Sequence, residues 1–104
     1  MEKVLIDAFM VPEESKASFR EGAQKIQKFI RTLPGFIEGF LYEQKDGESG
    51  YNFLSTAVWE NEEAFENAKK AVDGEHKKQG ISPQETRKQL KIESIRAIYE
   101  RSSF

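Results

Sequence analysis

The chain has no cysteine and a single histidine, His76, in 104 residues. Without a thiol it forms no disulfide, no thiolate metal site and no cysteine nucleophile, a composition compatible with a reducing cytoplasm. One imidazole per chain likewise excludes a His-rich zinc site. Apolar runs are short, none approaching the roughly 18 residues that a membrane span requires. The opening segment meets an acid at Asp7, so a soluble, untargeted, cytoplasmic protein with no membrane partner is expected. An excess of positive charge is missing too. Sixteen Lys and Arg stand against 18 Asp and Glu, a net charge of −2, which does not suit a protein that holds nucleic acid through its phosphates. Neither repeats nor low-complexity tracts interrupt the sequence, and a single domain over residues 1–104 is expected.

Aromatic residues are plentiful instead: 8 Phe, 3 Tyr and 1 Trp in a chain that is 33% charged. Their placement follows from the element pattern. Val4 to Val11 is rich in β-formers and is ended by Pro12-Glu13-Glu14-Ser15. Phe19, Ala23, Ile26, Ile30 and Leu33 then recur at the i, i+3, i+4 spacing of one helix face, until Leu33-Pro34-Gly35 stops it. Two strands follow, Phe36 to Glu43 and Tyr51 to Trp59, joined through Asp46-Gly47 as a hairpin. Asn61 is an N-cap candidate for a second helix carrying Ala64, Phe65, Ala68, Val72 and His76 on one stripe, with Gly74 weakening its last turn. Ser82-Pro83-Gln84-Glu85 matches a capping box and opens a short third helix to about Leu90, and Ile92 to Tyr99 is the last strand.

This order is the split βαβ pattern of an α+β, ferredoxin-like fold: a four-stranded antiparallel sheet with helices on one face. An antiparallel sheet with one wet face alternates apolar and polar residues. Here Leu5, Phe9 and Val11 alternate with Val4, Ile6, Ala8 and Met10, and Tyr51, Phe53, Ala57 and Trp59 alternate with Leu54 and Val58. Both faces ask for cover, and two helices cover only one. A homodimer packed through the bare sheet faces is therefore expected.

The segment Tyr51-Asn52-Phe53-Leu54-Ser55-Thr56-Ala57-Val58-Trp59-Glu60-Asn61-Glu62-Glu63-Ala64-Phe65 resembles the signature of the antibiotic biosynthesis monooxygenase family, as does the Leu33-Pro34-Gly35-Phe36 turn. The resemblance runs over about residues 4 to 99. It implies a dimeric α/β barrel and a chemistry ranging from cofactor-independent oxygenation of aromatic polyketides, through quinol oxidation, to haem degradation. Trp59 matches the family's strand-end tryptophan. Ser55 and Phe65 occupy the places where the polyketide monooxygenases have an Asn and a Tyr. In haem-degrading relatives a strand-1 Asn, a helix-2 Trp and a helix-2 His act, and the nearest matches here are Asp7, Ala68 and His76.

Read as chemistry, Asp7 interrupts an apolar strand and is a candidate proton acceptor for a phenol or hydroquinone; alternatively it pairs with a neighbour such as Arg96. His76 is the one side chain that ordinarily titrates near neutrality, either a pocket base or a helix-end residue favoured by the dipole. Ser55 or Thr56 offers a hydroxyl to a ligand or to nearby backbone. Trp59 serves the core and walls a pocket. Glu38 shares the alternation of Phe36, Phe40 and Tyr42 and is expected to face water. Lys69, Lys70, Lys77, Lys78, Arg87, Lys88 and Lys91 make residues 69–91 a net +4 segment, either a solvated surface or an attraction for an anion. The expected activity is cofactor-independent monooxygenation of a quinol or phenolic polyketide, with Asp7 and His76 catalytic and Ser55, Trp59 and Phe65 contacting substrate. Haem binding or degradation, and a non-catalytic dimer whose pocket is filled by its own phenylalanines, are the alternatives.

Overall fold

Two breaks in the chain set the architecture. Pro12 ends the first strand, and Leu33-Pro34-Gly35 ends the first helix with Gly35 at φ 80°, a left-handed conformation that glycine adopts without strain. The computed structural model describes residues 1–103. Its elements are β1 (Lys3–Met10), a 3-10 turn (Glu13–Ser15), α1 (Lys16–Ile30), β2 (Phe36–Glu43), β3 (Phe53–Trp59), α2 (Glu62–Gln79), α3 (Pro83–Leu90) and β4 (Glu93–Tyr99). All four strands pair antiparallel in the order β2-β3-β1-β4. This is the ferredoxin-like sheet expected from the sequence.

Local chemistry explains most boundaries. The Asn61 side chain accepts from the Ala64 N–H at 2.8 Å and caps α2, satisfying one of the unpaired donors at a helix start. Despite Gly74, α2 continues to Gln79 and ends at Gly80, φ 70°, the usual left-handed stop. The Ser82 hydroxyl accepts from the Glu85 N–H and opens α3, with Pro83 in its first turn. Ser15 does not cap α1 but donates its hydroxyl proton to the Leu90 carbonyl at 2.8 Å, tying α1 to the end of α3. Tyr51 and Asn52 stand outside β3, where the Asn52 amide brackets Val11, accepting from its N–H and donating to its C=O.

The register defines two faces. Lys3, Leu5, Asp7 and Phe9 of β1 lie opposite Trp59, Ala57, Ser55 and Phe53 of β3, and this side faces the helices, because Phe19 of α1 packs on both Phe9 and Phe53 with ring centroids 4.8 Å apart. One core cluster gathers Ile30, Ala57, Trp59, Ala64, Phe65 and Ala68; the other joins Val11, Phe53 and Ile92. Phe36 corrects the simple alternation. A bulge between Phe36 and Glu38 shifts the register, turning Phe36 to the helix side, edge-on to Trp59 at 5.5 Å, while Phe40 and Tyr42 remain on the other face with Glu38, as one extra residue in a strand requires. That other face stays bare: Phe40, Tyr42, Leu54, Ile95 and Tyr99 are exposed there.

Candidate functional site

Asp7 is set by β1 between Leu5 and Phe9 on the helix side, and only 16% of its side chain is exposed. Across the sheet it faces Ser55 on β3 and Arg96 on β4. Arg96 closes on it as a fork: Nε donates to Oδ1 at 2.7 Å and Nη2 to Oδ2 at 3.1 Å. Such a bidentate pair fixes both partners. The ion pair weighed in the sequence is thus the arrangement found, and the hydrogen bond to Asp7 holds the Arg96 guanidinium above its ordinary pKa, against the opposing effect of burial.

Ser55 is oriented from the opposite side. Gln27, buried on α1, donates from Nε2 to the Ser55 hydroxyl and to the Thr56 carbonyl, both at 3.2 Å. The direction of this amide is not arbitrary, because Arg31 Nη1 donates to Gln27 Oε1 at 2.7 Å and a guanidinium has no acceptor. Arg31 therefore turns the amino end of Gln27 toward Ser55. With its oxygen accepting, the serine keeps its own O–H proton to donate. Neither Gln27 nor Arg31 was singled out in the sequence, although a glutamine between Ala23 and Ile30 on an otherwise apolar stripe was a readable signal.

Trp59 and Phe65 are both 2% exposed, enclosed in the core with Ile30, Ala64 and Ala68. They are brought together, but as packing for α2. His76 occupies the last turn of α2, half-buried, its carbonyl receiving the N–H groups of Gly80 and Ile81; no hydrogen bond joins it to Asp7 or Ser55 among the described residues. Glu38 is exposed, as expected.

The space between helices and sheet is closed on one side and open on the other. Over β3 it is filled by Phe9, Phe19 and Phe53. Over β4, Arg96 and Ile98 point to the helix side yet remain exposed. Two surface hollows lie elsewhere. One of about 250 Å³ runs between α1 and β2, past Gln27, Arg31 and Phe40; one of about 260 Å³ lies beside Met10, Pro12, Gly50 and Lys91. Neither is lined by Asp7, Ser55, Trp59, Phe65 or His76.

No group of three His, Cys, Asp or Glu side chains capable of holding a metal ion gathers among the described residues. The residues present do not fit the haem pattern either: Ala68 is packed into the core where that pattern has a Trp, and Asp7, in place of an Asn, is closed by Arg96. No helix among the described residues is long and apolar enough to cross a membrane.

Known structures share this fold. SnoaB, a cofactor-independent oxygenase from Streptomyces nogalater, matches with a TM-score of 0.67 at 19% identity, over 99% of this chain and 95% of its own. A conserved protein of unknown function from Bacteroides thetaiotaomicron matches with a TM-score of 0.74 at 17% identity, over 96% and 97% of the two chains. The heme-degrading protein Rv3592 from Mycobacterium tuberculosis matches with a TM-score of 0.57 at 25% identity, over 65% of this chain and 77% of its own. No curated protein matches the sequence. The family model described as antibiotic biosynthesis monooxygenase matches residues 4–78, from β1 to the last turn of α2, and the chain belongs to the antibiotic biosynthesis monooxygenase family.

Proposed function

We propose that this protein is a cofactor-independent monooxygenase that transfers one atom of O₂ to a small electron-rich aromatic, a quinol or phenolic polyketide, and that it works as a homodimer. One observation carries the reading in a chain of this family: Asp7, Arg96 and the donating hydroxyl of Ser55 are neighbours across three strands, beside apolar Leu5 and Ile98. A flat apolar ligand needs such a surface with a few polar groups to orient it.

In this reading a base, Asp7 or His76, takes a phenolic proton. Asp7 acts once one of its two bonds from Arg96 is released, and Ser55 donates to the charged oxygen. The phenolate passes one electron to O₂, the resulting radical pair joins through a new C–O bond, and the peroxide takes the proton from the base to become a hydroperoxide. Loss of the proton from that carbon breaks the O–O bond, so one oxygen stays as the quinone carbonyl and the other leaves as water. O₂ is the only oxidant required. Trp59 and Phe65 contribute by holding α2 against the sheet.

The dimer reading is supported by the bare face, where Phe40, Tyr42, Leu54, Ile95 and Tyr99 form an apolar surface of the kind that marks association. The filled space over β3 favours a second reading, a non-catalytic dimer that binds a small ligand. Oxygen uptake with a panel of naphthohydroquinones and anthrones, in the presence of a metal chelator, separates the two. Uptake with one ¹⁸O atom retained in the product is expected, falling about 10²-fold when the acting base is removed. No uptake over the panel overturns the monooxygenase reading, and unchanged rates in both Asp7→Asn and His76→Ala overturn the assigned bases.

A further inference from the structure

Arg96 has more hydrogen-bonding capacity than Asp7 uses. A guanidinium carries five N–H donors in one plane, and the pair engages Nε and Nη2 only. The two protons on Nη1 lie outside the pair, in a plane that the bidentate contact fixes. The two partners also sit at different depths, since 61% of the Arg96 side chain is exposed against 16% of Asp7. Asp7 is the footing, and Arg96 is the part that solvent or a ligand meets.

The ground around it is apolar. Ile98 is two residues further along β4 on the same face, exposed, and opposite the partly buried Leu5. Residues two apart in a strand are separated by about 7 Å, within the reach of a two-ring aromatic acid lying on Ile98 with its acid group toward Arg96. Residues 69–91, the second half of α2 and all of α3, precede β4 in the chain and are net +4. Asp7 cancels the charge of Arg96 locally, so the guanidinium supplies direction rather than long-range attraction.

An arginine selects an anion that exists before any reaction. A phenol, ionising near 10 as tyrosine does, is neutral at pH 7, whereas a carboxylic acid is charged. We infer that the helix-side shelf of β4 binds an aromatic carboxylate, with Arg96 Nη1 as the group that receives it, Ile98 and Leu5 beneath the ring, and Asp7 as the positioning residue that holds the fork. This narrows the substrate of the proposed monooxygenase, on which it rests for the reaction, to hydroxy-aromatic acids.

The test uses binding, which requires no turnover. 6-Hydroxy-2-naphthoate and its methyl ester are titrated calorimetrically into the full chain, and the Arg96 side-chain Nε–H resonance is followed by ¹⁵N-edited spectroscopy. The carboxylate should bind about tenfold more tightly than the ester, the size of one half-exposed charge-assisted hydrogen bond, and only the carboxylate should shift the Arg96 resonance. Arg96→Gln should abolish the preference and Arg96→Lys should keep part of it. Asp7→Asn should weaken it several-fold, and Asp7→Glu, which can rebuild the pair, should restore it. Equal affinity for acid and ester, binding of neither, or a preference untouched by Arg96→Gln overturns the inference. Wild-type O₂ uptake that is as fast with neutral quinols as with hydroxy-aromatic acids does so too, while leaving the monooxygenase reading intact. A carboxylate preference without any uptake does the reverse.

Discussion

β3 and β4 are seven-residue strands of one sheet, and they meet opposite environments. β3 is central, and Phe53 and Trp59 are each 2% exposed. β4 is an edge, with Ile95 at 56% and Ile98 at 51%, one on each face. Their apolar content is similar, so composition did not decide which was buried. Neighbours did: β3 has a strand on both sides and α1 and α2 above it, whereas β4 pairs with β1 alone. Apolar side chains left bare on both faces of an edge strand mark where cover is still to come. The proposed dimer supplies it on one side and the proposed ligand on the other.

The sharpest way to break this contrast is truncation. Phe53→Ala should cost roughly 3–5 kcal/mol, as expected of a large aromatic removed from a closed core, whereas Ile98→Ala should cost under about 1 kcal/mol in urea unfolding of the unliganded chain. Equal losses would mean that β4 is already covered from the helix side. Next in size is the bare face, where Ile95→Asp with Tyr99→Asp should raise the dimer dissociation constant at least about 100-fold. Light scattering reads this directly: a wild type that is monomeric at micromolar concentration ends the dimer reading.

A smaller effect is expected on the β3 side of the candidate site. Gln27→Leu leaves the Thr56 carbonyl without that donor and should cost roughly 1–2 kcal/mol in thermal unfolding. No change in stability would show that the amide is replaced by water. The least effect concerns Glu43, which lies opposite Phe53 on β2. Its hydrogen bond from Arg20, with help from Lys45 and Lys16 and against burial, holds its carboxyl below the ordinary value. A depressed folded-state pKa adds stability above the unfolded-state value and loses it as pH falls through the folded-state one. Glu43→Gln should therefore be slightly less stable than wild type at pH 7, and the two melting curves should converge as pH falls through the lowered folded-state value. A gap that persists in acid would assign the difference to packing.

Much of the frame was written locally in the sequence. The stripe from Phe19 to Leu33, the Asn61 cap, the Ser82-Pro83 box and the Pro34-Gly35 stop each depend on residues a turn or less away, so reading them needed no tertiary structure. Phe36 was misassigned because a bulge adds one residue to one strand and changes the face of everything before it, and no residue type announces it. Asp7 was legible as an anomaly, and Arg96 as its partner on an adjoining strand. The role of Gln27 was not, because turning its amide requires Arg31 one helical turn away and the β3 backbone, a contact visible only once α1 lies on the sheet. The burial of Trp59 and Phe65 in one core cluster was similarly a matter of how closely α2 approaches.

That approach is unequal along the helix. At its start Gly35 leaves no room for a Cβ against Ala64, Lys3 pairs with Glu62 at 3.3 Å, and Trp59 lies beneath. At its end Lys77 and Lys78 are exposed and Gly80 turns the chain away. α2 is thus anchored where it begins and loosely held where it ends, so substitutions around Gly35 are expected to cost more stability than substitutions beyond Val72.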